Sequence, residues 1–161
     1  MHMFHDALVS FAERRVIYME KLSRDLLRVS RKAQICVGAV VKKYNITVAE
    51  EPFFMAINSH DGSTQEELTA LVGVDKAMTT RVIHSLESKG LVKRVQDAKD
   101  KRQNRIYKTD KVNEISEIVL RDLLQLNQIF TTGIDSDDLD NFMRTLAVLE
   151  DNISNFLKEE Q

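Results

Sequence analysis

The chain has 161 residues, 43% of them hydrophobic and 30% charged, which is the profile of one soluble domain or a domain with an appendage and excludes a disordered chain. No apolar run approaches the roughly 18 residues of a membrane-spanning helix, no basic start leads into a secretory apolar segment, and the lone Cys36 excludes an internal disulfide. A cytoplasmic protein with no membrane association is therefore expected. The net charge of -2 conceals a division: residues 76–111 carry eleven Lys/Arg against four Asp/Glu, whereas residues 112–161 carry three against eleven.

One Pro and five Gly favour long helices over a multi-turn β sandwich. Phe4, Leu8, Phe11, Tyr18, Leu22, Leu26 and Val29 recur at helical spacing and predict an amphipathic helix over residues 4–29. After Ser30-Arg31-Lys32 a second apolar run, residues 35–41, ends at Lys42-Lys43-Tyr44-Asn45, a helix end and turn. Thr47 followed by Glu50 is a capping-box pattern. It predicts a helix from Thr47 that buries Phe53, Phe54, Met55 and Ile57, with Pro52 marking a kink or a later start.

His60-Asp61-Gly62 reads as a turn, and Ser63 or Thr64 with Glu66 or Glu67 three residues on as a second capping box. The short helix it opens carries Leu68, Leu71 and Val72 on its apolar side and stops at Gly73. Asp75 caps the next, with Met78, Val82 and Leu86 inward and Gly90 just past its end. Two short helices joined by a tight glycine turn make a helix-turn-helix, with the small Thr69 where the helices cross.

Beyond Gly90, residues 91–95 and 105–108 are short β-prone runs flanking the polar stretch 96–104, a hairpin with a charged tip. Helical spacing returns over residues 112–130, Gly133 breaks it, and Ser136-Asp137-Asp138 caps a last helix carrying Phe142, Met143, Leu146, Ile153 and Phe156. The fold class expected is mainly α with a small β-hairpin wing. A winged helix-turn-helix at residues 47–111 would sit between N- and C-terminal helical regions, 1–46 and 112–161, that form a dimerisation domain.

The basic segment coincides with the helix-turn-helix and hairpin, which points to double-stranded DNA as the partner. The buried stripe of the second helix leaves Lys76, Ala77, Thr80, Arg81, His84 and Ser88 outward, a small, polar or basic face suited to a major groove. There Arg81 can address a guanine edge, Thr80 a base or phosphate, and Ala77 a thymine methyl. Lys99, Asp100, Lys101, Arg102 and Arg105 crowd the hairpin tip, where like charges repel unless phosphates neutralise them. A tip arginine also fits the negative potential of a narrow minor groove, and Asp100 is placed to hold the Arg102 guanidinium in one direction. Thr64 and Gln65, at the start of the first helix of the motif, are candidate phosphate contacts.

These residues carry a resemblance. Thr64-Gln65-Glu66-Glu67-Leu68, Val74-Asp75-Lys76, Thr80-Arg81, Leu86-Glu87, Lys89-Gly90-Leu91-Val92 and Asp100-Lys101-Arg102, with Thr47 placed 17 residues before Thr64, look like the MarR-type winged-helix transcriptional regulators. The motifs span residues 40–115. The resemblance implies an obligate homodimer whose terminal helices intertwine, a second motif helix that reads the major groove, and a wing whose Arg102, oriented by Asp100, enters the minor groove. It also implies a small phenolic or other anionic effector that alters DNA affinity. Lys108 departs from the family pattern, which has a leucine before the threonine at the hairpin's exit.

The terminal helices show apolar stripes over some 20 residues, more than a winged helix of roughly 65 residues can cover, so a second copy is the economical cover. Two recognition helices about 34 Å apart would select a pseudo-palindromic operator. His2, His5, His60 and His84 make no helical pair at i, i+4, and there is no Cys/His cluster, so neither a metal site nor a cofactor is expected. No phosphate loop, nucleophile elbow or paired-carboxylate motif appears, so an enzyme is not expected. Cys36, between Ile35 and Val37, reads as a structural thiol more readily than a redox sensor. Two functions stay open: a DNA-binding, effector-responsive repressor, and a dimeric winged-helix module that binds another protein.

Overall fold

The structure, a computed structural model, describes residues 11–98 and 100–160. Its elements in order are α1 (Phe11–Val41), a 3-10 turn (Lys42–Tyr44), α2 (Glu51–Ser59), β1 (Ser63–Thr64), α3 (Gln65–Val72), α4 (Lys76–Ser88), β2 (Val92–Gln96), β3 (Asn104–Lys108), α5 (Asp110–Phe130) and α6 (Ser136–Glu159). Two compact units part between Asp122 and Leu123, within α5. Among the described residues no helix is long and apolar enough to cross a membrane.

α1 is a single helix of 31 residues, so the break expected at Ser30-Arg31-Lys32 does not occur. Those three residues are all exposed, and a solvated helix face accommodates them. The expected start, residues 4–10, lies outside the described residues. The Thr47–Glu50 box forms, with Thr47 N–H donating to Glu50 Oε2 at 2.8 Å and Glu50 N–H to Thr47 Oγ1 at 3.3 Å. It closes a turn ahead of α2, which begins at Glu51 with Pro52 in its first turn, where a missing N–H costs nothing. Phe53, Phe54 and Ile57 are buried as expected, and Met55 is half-buried.

The sheet has three strands in the order β1-β3-β2, both pairs antiparallel. The hairpin was expected; β1 was not, and it sets Ser63 opposite Ile106 and Thr64 opposite Arg105. Around it α2 packs on α3 and β3, and α4 on α3 and β2. The core of this unit holds Phe53, Phe54, Ile57, Leu68, Ile83, Leu86, Leu91, Ile106 and Val119 at 2% exposure or less. Leu71, expected on the apolar side of α3, is half exposed.

At the hairpin's exit Lys108 forms polar bonds where a leucine would pack. Its N–H donates to Asp61 Oδ1 at 2.7 Å and its Nζ to Asn58 Oδ1 at 3.2 Å. Gly38, left without a role by the sequence, is a close-approach position: a Cβ there would lie 2.8 Å from Val48 Cγ2. In the C-terminal unit α6 is capped by Asp135, whose carboxylate accepts Asp138 N–H at 2.8 Å, so the cap stands one residue before the expected Ser136. α1 exposes Tyr18, Met19, Leu22, Leu26 and Ile35, and α6 exposes Phe142, Met143, Ile153, Phe156 and Leu157.

Candidate nucleic-acid interface

The helix-turn-helix is α3 and α4. Thr64 caps α3 through a complete capping box: its Oγ1 accepts Glu67 N–H at 3.2 Å, and Glu67 Oε2 accepts Thr64 N–H at 2.7 Å. Gly73 ends the helix at φ 72, a left-handed turn that glycine adopts without strain. Asp75 Oδ1 then accepts Met78 N–H at 2.7 Å and starts α4. Where the helices cross, Thr69 Oγ1 donates to Gln65 O at 2.8 Å and lies 2.9 Å from the buried Thr79 Oγ1. Val82, Ile83 and Leu86 face the core with Thr79.

The opposite side of α4 presents Lys76, Ala77, Thr80, Arg81, His84 and Ser88, all exposed. Their freedom differs. Lys76 Nζ reaches Glu66 Oε1 at 3.2 Å, a solvent-exposed pair that constrains it little. Thr80 Oγ1 donates to Lys76 O at 2.8 Å and accepts from Gln65 Nε2 at 2.6 Å, so its single proton is committed and any further partner must donate to it. Ser88 Oγ donates to Ser85 O at 2.7 Å. Among the described residues Arg81 reaches only the weak acceptor Met78 Sδ, at 3.8 Å, and its guanidinium is otherwise exposed.

The wing tip is folded by carboxylates acting on the main chain. Asp100 N–H donates to Asp97 Oδ1 at 3.2 Å, Gln103 N–H to Asp100 O at 3.0 Å, and Gln96 Nε2 to Lys101 O at 2.7 Å. Asp100 Oδ1 accepts the backbone N–H of Arg102 at 3.0 Å. The sequence put Asp100 against the Arg102 guanidinium; the structure puts it against the Arg102 backbone, fixing where that side chain departs. Arg102 and Lys101 are exposed, and Lys99 lies outside the described residues. Arg105, grouped with the tip by sequence, stands inward on β3, where its Nε donates to Asp97 and its NH1 to Gly62 O at 2.9 Å. The bond to Asp97 raises the Arg105 pKa further above its ordinary value.

Between the start of α3 and the wing lies an open cleft of about 230 Å³, lined by Thr64, Gln65, Arg94, Arg102 and Asn104 among others. Arg94, which sequence reasoning passed over, belongs to it, with Nε 3.1 Å from Glu87 Oε2. At the C-terminal end of α4 the sequence also gave no sign of a second ion pair. Lys89 Nζ donates to Glu50 Oε2 at 2.6 Å and Ser85 Oγ to Glu50 Oε1 at 2.6 Å, with the Glu50 side chain 3% exposed. The capping pattern revealed Glu50, but its second role depends on a residue 39 positions away. Burial alone would raise the Glu50 pKa; the bonds from Lys89, Ser85 and Thr47 outweigh it and hold the carboxyl below its ordinary value.

Comparison with known proteins agrees with this geometry. Residues 54–103 match the model of the MarR family. The HTH-type transcriptional regulator YybA of Bacillus subtilis (strain 168), itself uncharacterized, is 20% identical over 135 residues, 84% of this chain and 90% of that protein. The crystal structure of a MarR transcriptional regulator from Methanosarcina mazei Go1 superposes with a TM-score of 0.76 at 26% identity, covering 85% of this chain and 99% of that one. A MarR-family regulator from Listeria monocytogenes, solved with a 26mer DNA, has the same fold, with a TM-score of 0.77 at 20% identity over 82% of this chain and 88% of that one.

Proposed function

We propose that this chain, whose residues 54–103 match the MarR family model, is a DNA-binding transcriptional regulator, not an enzyme, that works as a homodimeric repressor on a pseudo-palindromic operator. α4 enters the major groove, where Arg81 addresses a guanine edge and Ala77 a thymine methyl. Arg102 enters the flanking minor groove, and the phosphates between the two grooves lie along the cleft of Thr64, Gln65 and Arg94. The observation that carries this reading is the pairing of exposed Arg81 on α4 with exposed Arg102 on a tip whose main chain Asp97 and Asp100 hold in place. The Listeria relative solved with DNA supports it as an analogy of fold.

The apolar faces of α1 and α6 support the homodimer, since each is exposed within its own unit and needs a cover. Residues 1–46 and 112–161 form the dimerisation region and residues 47–111 the DNA-binding domain. A small anionic or phenolic effector that lowers operator affinity completes the proposal. The test is fluorescence anisotropy with the protein's own promoter DNA across a salt series. Affinity is expected to fall steeply and log-linearly with salt as counterions are released; a flat dependence overturns the reading in favour of a protein-binding module.

A further inference from the structure

A buried ionic cluster lies at the C-terminal end of α4. Glu50 stands at its centre with its side chain 3% exposed, and both carboxylate oxygens are used: Oε1 accepts from Ser85 Oγ at 2.6 Å, and Oε2 from Lys89 Nζ at 2.6 Å and Thr47 N–H at 2.8 Å. The same ammonium donates to Asn45 O at 2.9 Å. Ser85 is in the last turn of α4 and Lys89 is its C-cap. Asn45, in the left-handed conformation at φ 60, and Thr47 belong to the segment leaving α1. That segment is pressed against α1 itself, because Gly38 approaches Val48 with no room for a Cβ. A continuous chain of close contacts thus runs from α1 through Val48, Thr47 and Glu50 to the C-terminal end of α4.

We infer that Glu50 and Lys89 are positioning residues that fix the orientation of the recognition helix relative to the end of α1, so that a movement of α1 reaches the DNA-reading face through this pair. The inference rests on the regulator reading above for its DNA arm. The physical grounds are burial and direction. A short ion pair whose carboxylate is buried with both oxygens bonded holds one geometry firmly, and leaving that carboxylate without its counter-charge is heavily unfavourable. Helix α4 is tied to α3 near its start by the Thr69–Thr79 contact and to the α1 exit at its end by this cluster. Loosening the second tie lets the helix pivot about the first. Pivoting misplaces base contacts, which tolerate little error, and leaves diffuse phosphate attraction in place.

The test separates positioning from charge. Glu50→Gln keeps the shape, and with its oxygen accepting Thr47 N–H and its NH2 donating to Ser85 Oγ it keeps both neighbours bonded, but it removes a negative charge, so simple electrostatics predicts tighter DNA binding. Positioning predicts the reverse: operator affinity falls about tenfold, within the usual range of coupling between sites, while affinity for unrelated DNA stays within about twofold. Lys89→Met is expected to do the same with a lowered Tm, because it leaves the buried Glu50 without its counter-charge. The double variant Glu50→Gln/Lys89→Met is expected to recover the Tm without recovering operator preference, and Lys89→Arg to restore part of it. Hydrogen exchange on the free full-length protein gives an arm independent of DNA. Amides 85–90 are expected to exchange about tenfold faster in Glu50→Gln while amides 76–80 keep their rates. Wild-type operator binding by Glu50→Gln, or unchanged exchange at 85–90, overturns the inference. Faster exchange there, in a protein whose wild type binds no DNA, leaves the clamp standing and overturns the regulator reading alone.

Discussion

The Gln65 side-chain amide donates to the Thr80 hydroxyl at 2.6 Å, joining the first turn of α3 to the outward face of α4. Thr80 donates its own hydrogen bond to Lys76 O, so the two residues form one unit in which Thr80 props Gln65 and the rest of the amide remains available to DNA. In a double-mutant cycle read by operator affinity, Gln65→Ala and Thr80→Val are therefore expected to be coupled by roughly 0.5–1.5 kcal/mol. Strict additivity would show that they act separately.

Arg102 and Arg105 are expected to respond differently to the same truncation. Arg102→Ala should leave the Tm near wild type and weaken operator binding by roughly 1–3 kcal/mol, as for a lost groove contact. Arg105→Ala removes the bonds to Asp97 and Gly62 O that fasten the wing to the turn before α3, so it should lower the Tm as well. Thermal melts beside anisotropy titrations separate the two, and a loss of binding in Arg105→Ala with an unchanged Tm would make Arg105 a DNA contact after all.

Glu50 gives a pH dependence of definite sign. Its folded-state pKa is lowered from the ordinary 4.5. The stabilisation is therefore fully present above the unfolded-state value and is lost as pH falls through the folded-state value. Stability measured by urea unfolding should be flat in this respect from pH 7 down to about 5 and then decline. Glu50→Gln should remove part of that decline, and an identical acid limb in the variant would contradict the assignment.

Gly38→Ala tests the close approach of α1 to Val48. In an open helix interior this change stabilises by about 1 kcal/mol. Here the new Cβ would meet the stiff, β-branched Val48 at 2.8 Å, and a net destabilisation of roughly 1–3 kcal/mol is expected. Adding Val48→Ala should relieve it, and a Tm above wild type in the single variant would show that Val48 yields freely.

The helix-turn-helix was legible because its signals are local. Thr64 and Glu67, Asp75, and Gly73 each act on a partner no more than four residues away, and all of them behave as their types suggest. Signals that depend on distant residues were not legible. β1 is two residues long and exists only by pairing with β3 across more than 40 positions. Ser30-Arg31-Lys32 looked like an interruption because three polar residues in a row resemble a loop, although on a helix they are a solvated face. Asp100 was assigned to the Arg102 guanidinium on charge, whereas a carboxylate two residues before an N–H folds back on the main chain, as short acidic side chains do in turns. The outward face of α4 needed only the helical period, and its six residues are all exposed.

Fastening the wing to β1 has a consequence for the duplex. Because β3 pairs with Ser63 and Thr64 immediately before α3, and Arg105 binds Gly62 O, the base of the wing is tied to the start of α3, which restricts how far the gap between Arg102 and α4 can adjust. In a complex it is then the duplex that has to bend or narrow to bring both grooves into reach, and the cost of doing so varies with base sequence. Preference would therefore extend to base pairs that no side chain touches: stiff, narrow-grooved steps under the wing would be favoured by their elasticity rather than by any hydrogen bond.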